Sequence, residues 1–349
     1  MTTDGQTRPA AIILDAELLS SGSADNVVGR GSEMAELDAS LSPLSRGQPP
    51  LNVWLSGPPG SGKTTLARKA VSAICSTGVT RLGIYVNCWQ HRSLYGVLQA
   101  VIDQLKILGA EAQDTNLKLD RVRQGLRGRP TAIILDDIDR LMPAQREEII
   151  QGLLGLPKTG LLCVASSTQA LAMMEEGVRS RLSPVLVELP AYSPSQVEQI
   201  LADRARMGLA PGSWSPGILK KIAQASGGDA RWAIQVLRQS AAEAEQSCKS
   251  RLDPRSIDRI LRQRQVLREE GRLAALSEHE RILVNLARRH SPLASTELAK
   301  LYQTHCRSHS IQPMARRTFT KYVSRLTSAG LLAVEGRSRV TGIRIIRAA

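Results

Sequence analysis

The residues best suited to chemistry in this 349-residue chain fall in two short runs about seventy positions apart. Gly57-Pro-Pro-Gly-Ser-Gly-Lys63-Thr64 has the spacing G-x-x-x-x-G-K-[ST], whose glycines let backbone N–H groups close around a triphosphate. Pro59, Gly60, Ser61 and Gly62 would form the cradle. Lys63 would put its ammonium between the β- and γ-phosphates, Thr64 would offer its hydroxyl to Mg²⁺, and Thr65 completes the set. The second run is Ala132-Ile-Ile-Leu-Asp136-Asp137-Ile-Asp139. An apolar strand ending in acids delivers a carboxylate beside such a loop. Asp136 would hold the metal and Asp137 would face the attacking water. Asp139 also reads as a helix cap, because Arg140-Leu141 follows. The chain is therefore expected to bind a nucleoside triphosphate with Mg²⁺.

Both runs need a scaffold. Asn52–Leu55 reads as a short buried strand before the loop and Leu66–Ile74 as a helix after it. Further strands are expected at Leu82–Asn87, Ala132–Leu135, Leu161–Ala165 and Val185–Glu188, with helical periods between them. Such alternation implies an α/β fold with a parallel sheet. After Pro190 the strand signals stop. Ser193-Pro194, Ser215-Pro216, Asp229 and Asp253-Pro254 each read as a helix start. They define a small all-helical unit, followed by a long solvated helix over Arg255–Arg272. The end domain opens on the capping box Ser277-Glu-His-Glu280. Helices are expected near Glu280–Arg289, Ser295–Cys306 and Arg317–Ala329, the last stopped by Gly330. Two strands, Leu331–Val334 and Ile343–Arg347, complete a C-terminal winged-helix pattern. The expected division is a flexible segment 1–24, an ATPase base 25–190, a lid and linker helix 191–272, and a DNA-binding domain 273–349.

Charge supports that last assignment. The net charge is +14, and from Ser277 onward thirteen Lys and Arg face four acids, so the last 73 residues hold +9 of it. Arg317, Lys321 and Arg325 recur every four residues and share one helix face. With Arg316 beside them and Arg337 and Arg339 in the wing, they form a candidate contact with double-stranded DNA. Basic residues between the second and third strands (Lys106, Lys118, Arg121, Arg123, Arg127, Arg129) offer a further one. No apolar run reaches the roughly 18–20 residues that span a bilayer. Five scattered cysteines without a C-x-x-C pair suit a reducing compartment. The expectation is a cytoplasmic, nucleoid-associated protein.

With these motifs in order, the chain resembles the initiator branch of the AAA+ ATPases, most closely the archaeal origin-recognition proteins related to Orc and Cdc replication-licensing factors. The resemblance runs from about Val27 to Ile346. It implies that Val28-Gly29-Arg30 lies on the adenine side and that Tyr85-Val-Asn-Cys88 belongs to a shared stretch. Arg181 in Val178-Arg-Ser-Arg-Leu182 looks like an arginine finger, with Arg179 in reserve. Gly227-Gly-Asp-Ala-Arg231 looks like the sensor 2 motif, and Arg231 would reach the γ-phosphate. The implied function is an ATP-dependent initiator that recognises origin DNA, self-assembles on it and helps load an MCM-type replicative helicase.

Two departures bear on rate. The family usually carries Asp-Glu where this chain has Asp136-Asp137, and Asn where Ser167 stands. One methylene fewer withdraws the second carboxylate by roughly 1.5 Å, and a displacement near 1 Å can cost about a hundredfold. Tight binding with slow, switch-like hydrolysis is expected. The alternative is a mobile-element AAA+ ATPase that regulates a transposase or plasmid replication. A STAND-type signalling switch would need a repeat array that the chain lacks. A metabolic P-loop kinase would need neither lid nor basic end domain.

Overall fold

The structure, a computed structural model, describes residues 11–20, 27–76, 82–107, 114–274, 276–328, 331–337 and 344–348. The chain separates into two compact units, Met1–Leu261 and Arg262–Ala349.

In the first unit, α1 (Gly31–Leu41) precedes β1 (Val53–Ser56) and α2 (Lys63–Ser76). Then come β2 (Leu82–Asn87), α3 (Leu94–Leu105), α4 (Thr115–Leu126), β3 (Thr131–Asp136) and α5 (Pro143–Leu154). β4 (Thr159–Ala165), α6 (Gln169–Ala172), α7 (Glu176–Leu182) and β5 (Val185–Glu188) finish the α/β part. The five strands pair in parallel in the order β2-β3-β4-β1-β5. Alternate residues feed two cores, as a period of two requires. Trp54, Ile133 and Leu135 pack on one face, whereas Val53, Leu55, Ala132 and Ile134 pack on the other. Continuous burial of β3 explains its unbroken apolar run, since a central parallel strand is covered on both sides. Because the strands are parallel, the loops after β1, β3 and β4 all emerge at one edge.

The lid follows as α8 (Pro194–Gly208), α9 (Pro216–Ala225), α10 (Ala230–Gln246) and the first turns of α11 (Pro254–Ala274). Its starts are chemically marked. Ser193 Oγ accepts from Gln196 N at 3.2 Å, and Asp229 Oδ1 accepts from Trp232 N at 3.0 Å. Val197, Leu201, Ile222, Leu237, Ile257 and Ile260 form its core. Two expectations need correction here. The start of α11 is packed into the lid through Ile257 and Ile260 rather than solvated. Residues 11–20, expected to be flexible, lie along the lid. Ile12 and Leu19 are each 1% exposed, Leu14 N donates to Gly208 O at 2.9 Å, and Ile13 bridges Leu209. Burying two large apolar side chains, worth about 3–6 kcal/mol, offsets part of the cost of ordering the segment, and the backbone bonds to the lid accompany it.

The second unit contains α12 (Glu278–His290), β6 (Leu293–Ala294), α13 (Ser295–Ser308), α14 (Arg316–Ser328), β7 (Leu332–Arg337) and β8 (Arg344–Ala348). Its antiparallel sheet has the order β6-β8-β7. Leu283, Leu298, Tyr302, Phe319 and Leu326 meet in its core, giving a winged-helix arrangement. The Gly330 stop, Arg339 and the turn of the wing lie outside the described residues. Among the described residues no helix is long and apolar enough to cross a membrane.

Candidate nucleotide site and DNA-contact helix

The loop between β1 and α2 turns on glycines with positive φ, at +74° for Gly60 and +91° for Gly62. L-residues with side chains rarely adopt these angles. Ser61 is 1% exposed, yet its Oγ has no hydrogen-bond partner among the described residues. Lys63 Nζ donates to Gly57 O at 2.6 Å and to Pro58 O at 2.9 Å. It forms no ion pair among the described residues. Burial pulls this ammonium below the usual lysine range, and Arg231 adds to the fall, while Asp139, Asp136 and Asp137 oppose it. Of these acids, Asp139 acts on it most strongly.

The second run lies beside the loop. Thr64 Oγ1 stands 3.0 Å from Asp136 Oδ2 and 3.2 Å from Oδ1, joining the start of α2 to the end of β3. Asp136 also accepts from Tyr85 Oη at 2.8 Å and from Asp137 N at 3.1 Å. Asp137 adopts left-handed backbone and lies 3.4 Å from Arg140 Nε. Burial and then the charge of Asp136 push its carboxyl up. Asp139 Oδ2 accepts from both Ser166 N, at 2.8 Å, and Ser166 Oγ. It therefore ties the ends of β3 and β4 together. Ser167 turns away from this cluster: its Oγ accepts from Gln169 N and its carbonyl from Trp54 Nε1. Of the two serines, Ser166 is thus the one whose hydroxyl joins the carboxylates.

The lid closes over the loop. Ala230 N donates to Gly60 O at 3.3 Å, which seats the first turn of α10 on the phosphate loop. Arg231, on that turn, lies close enough to influence Lys63 and Asp137. Arg30, expected on the adenine side, is only 3% exposed. Its guanidinium binds Glu33, Ser61 O and Pro190 O and lies 4.2 Å over the Tyr192 ring. The side chain faces inward and connects α1, the phosphate loop and the entry to the lid. Val28 is buried, and Gly29 O accepts from Gln196 Nε2 of the lid. Arg181 is exposed on α7, whereas Arg179 donates to Ala172 O. The structure therefore brings together the residues expected in the loop, both acids and Arg231, and leaves Arg181 apart on the surface.

These residues fit Mg²⁺ and a nucleoside triphosphate. Among the described residues the Lys63 ammonium has backbone acceptors only and the buried Ser61 hydroxyl stands unpaired in the loop, while a hydroxyl–carboxylate pair suits a hard ion. Ser166 and Tyr192 are site neighbours that the sequence did not single out, whereas Tyr85 stood only in a stretch carried by the resemblance and Asp139 only as a helix cap. Gly-Asp-Ala-Arg pointed to Asp229 only as a cap.

In the second unit, Phe319, Val323 and Leu326 bury one face of α14, leaving Arg316, Arg317 and Lys321 exposed on the rest. Arg325 departs from the expected stripe of free charges. Its Nε donates to Glu280 Oε1 at 2.6 Å, and the Glu280 side chain is fully buried. That ion pair satisfies a carboxylate that also closes the capping box through Ser277. Arg337 ends β7. The further basic stretch is also altered. Lys118 is 1% exposed, with its ammonium 3.4 Å over the Tyr95 ring, and Arg129 is tied to Gly125 O and Leu126 O.

A parallel sheet in this order, with a phosphate loop after β1, acids after β3 and a helical lid seated on the loop, defines an AAA+ ATPase. Residues 26–164 match the AAA ATPase domain family, 198–260 the Cdc6 AAA+ ATPase-type lid domain, and 272–347 the CDC6 C-terminal winged-helix domain. The chain belongs to the Orc1/Cdc6 family of replication initiators. ORC1-type DNA replication protein 9 of Halobacterium salinarum is 29% identical over 337 residues, covering 95% of this chain and 93% of the relative. ORC1-type DNA replication protein 1 of Archaeoglobus fulgidus is 27% identical, covering 87% and 79%. The fold is similar to that of the Aeropyrum pernix ORC2 protein in ADPNP-ADP complexes, with a TM-score of 0.75, 24% identity and coverage of 97% and 94%. It is also similar to the A. pernix ORC1 protein in complex with DNA, with a TM-score of 0.66, 23% identity and the same coverage.

Proposed function

We propose that this chain is an ATP-dependent initiator that recognises origin DNA and helps load a replicative MCM-type helicase, with ATP acting as a slow switch. The observation that carries the switch is the seating of the α10 first turn on Gly60. Base and lid meet on the loop that would hold the phosphates, so the γ-phosphate is the group best placed to set their closure. The names of the relatives support the replication role. DNA in the A. pernix ORC1 structure supports DNA as a partner.

Lys63, Ser61 and the loop amides would hold the phosphates, and Thr64 and Asp136 would hold Mg²⁺. The ion would neutralise charge on the β- and γ-phosphates. Asp137 would orient water, Arg231 would approach from the lid, and Arg181 would act on a neighbouring copy assembled on the same DNA. Asp137 is short by one methylene, which supports slow hydrolysis. Arg317, Lys321 and the wing would supply the duplex contacts.

Footprinting on DNA flanking the protein's own gene, with ATP and ADP compared, tests this reading. A protected repeat that depends on nucleotide state is expected, with steady-state turnover below about 1 s⁻¹. Equal, sequence-indifferent protection in both states would overturn it.

A further inference from the structure

Among the described residues, the carboxylate of Asp136 has three donors. Two come from the site's own runs, the Thr64 hydroxyl and the Asp137 N–H. The third, Tyr85 Oη at 2.8 Å from Oδ2, comes from β2 and lies outside both motifs. We propose that Tyr85 is a positioning residue for the metal-holding carboxylate, and that Arg68 is the clamp that keeps it there.

The placement follows from register. Tyr85 pairs with Ile134, one two-residue repeat behind Asp136. That is roughly 6.6 Å along the strand, a gap that a tyrosine side chain can bridge. Ile84 and Val86 point into the opposite core, so alternation directs Tyr85 to the α2 face. Arg68 follows Thr64 by one helical turn and therefore lies on the same face of α2. Its guanidinium carbon lies 3.6 Å from the centroid of the Tyr85 ring. β2 is an edge strand, and Gln104 of α3 secures the peptide groups of Tyr85. Tyr85 N donates to Gln104 Oε1 at 3.2 Å, and Gln104 Nε2 donates to Tyr85 O at 2.8 Å. The hydroxyl is thus fixed through its ring, its backbone and its acceptor.

A carboxylate held this way keeps one orientation while Thr64 exchanges partners. Hydrogen bonds from beyond the ligands orient metal-binding carboxylates, and losing one typically weakens metal affinity by 10- to 100-fold. Tyr85→Phe keeps the ring and its cation–π contact and removes only the donor.

This inference rests on the Mg²⁺–nucleotide reading above, and the test separates the two. ADP binding to the full-length chain is measured by calorimetry in EDTA, then at saturating ADP as Mg²⁺ is titrated in. Tyr85→Phe should leave affinity in EDTA unchanged and raise the Mg²⁺ concentration at half-effect by about tenfold. Arg68→Met, which leaves the hydroxyl but loosens the ring, should shift it the same way by a smaller factor. A wild-type Mg²⁺ response retained unchanged in Tyr85→Phe overturns the inference alone. If Tyr85→Phe does not fold, an unchanged midpoint in Arg68→Met overturns it. Wild-type protein that binds no ADP in either condition refutes the nucleotide reading and this inference with it.

Discussion

Asp229 of the lid stands so close to Gly60 of the phosphate loop that a Cβ on the glycine would lie 1.9 Å from Asp229 Oδ1. The two residues are distant in sequence, and each is locally committed. Gly60 holds φ at +74°, and Asp229 caps α10 through Trp232 N. Neither can retreat without losing the turn it makes, so the loop and the lid fit as one surface.

Gly60→Ala should therefore reduce ATP affinity by at least tenfold, read by equilibrium binding. Gly47 has a similar φ of +72° and open space around it, so Gly47→Ala incurs only backbone strain of about 1 kcal/mol and should leave ATP affinity intact. Equal effects would mean that the lid contact is irrelevant.

Arg30→Ala removes a buried cation that binds Glu33, Ser61 O and Pro190 O together. Breaking a buried pair from one side costs on the order of 3 kcal/mol. All four tryptophans precede residue 262, so their fluorescence follows the first unit alone during urea unfolding. A loss near that size is expected, together with weaker ATP binding because the phosphate loop loses its support.

Asp137→Glu restores the missing methylene and should raise ATP turnover by more than tenfold, toward the hundredfold that a 1 Å placement error can cost. Single-turnover hydrolysis at saturating ATP measures the chemical step directly. No gain would mean that the missing methylene does not limit turnover.

Asp137→Asn tests the raised carboxyl pKa. A folded-state value above the unfolded one means that ionisation disfavours the folded state. The stabilising contribution is present below the unfolded value and is lost as pH rises through the folded one. The Asn variant should therefore be more stable than wild type at pH 7, with the gap closing below about pH 4. Thermal melts across that range provide the measurement.

The basic helix should divide in two. Arg317→Ala with Lys321→Ala removes exposed charge and should lower the salt dependence of DNA binding by about two units of slope, one per phosphate contact. Arg325→Ala instead leaves the buried Glu280 without its cation. The pair is worth about 1 kcal/mol once solvent screening of the exposed arginine is discounted. Faster amide exchange in α12 and α14 should report that loss, with little change in the salt slope.

Much of this was legible because its causes are local. The glycines of the phosphate loop, the apolar run of β3 and the caps at Ser193, Asp229 and Ser277 each act within a few residues, so spacing reveals them. Arg325 misled for the same reason. A four-residue period identifies a shared helix face, but it cannot reveal that Glu280, 45 positions earlier, waits beneath that face. Residues 11–20 misled for a different reason. With the polar residues around them they read as part of a flexible lead-in, and only the lid supplies the apolar surface that Ile12 and Leu19 pack against.

The sequence by itself determined that a phosphate loop, paired acids, a helical lid and a basic winged helix occur in this order, because each is a pattern of neighbouring side chains. Tertiary structure alone decided which partners those side chains meet. It joined Tyr85 to Asp136, Asp139 to Ser166, Asp229 to Gly60 and Arg30 to the lid entry. Those contacts depend on strand register and helix packing, in which a shift of one residue turns a side chain to the other face.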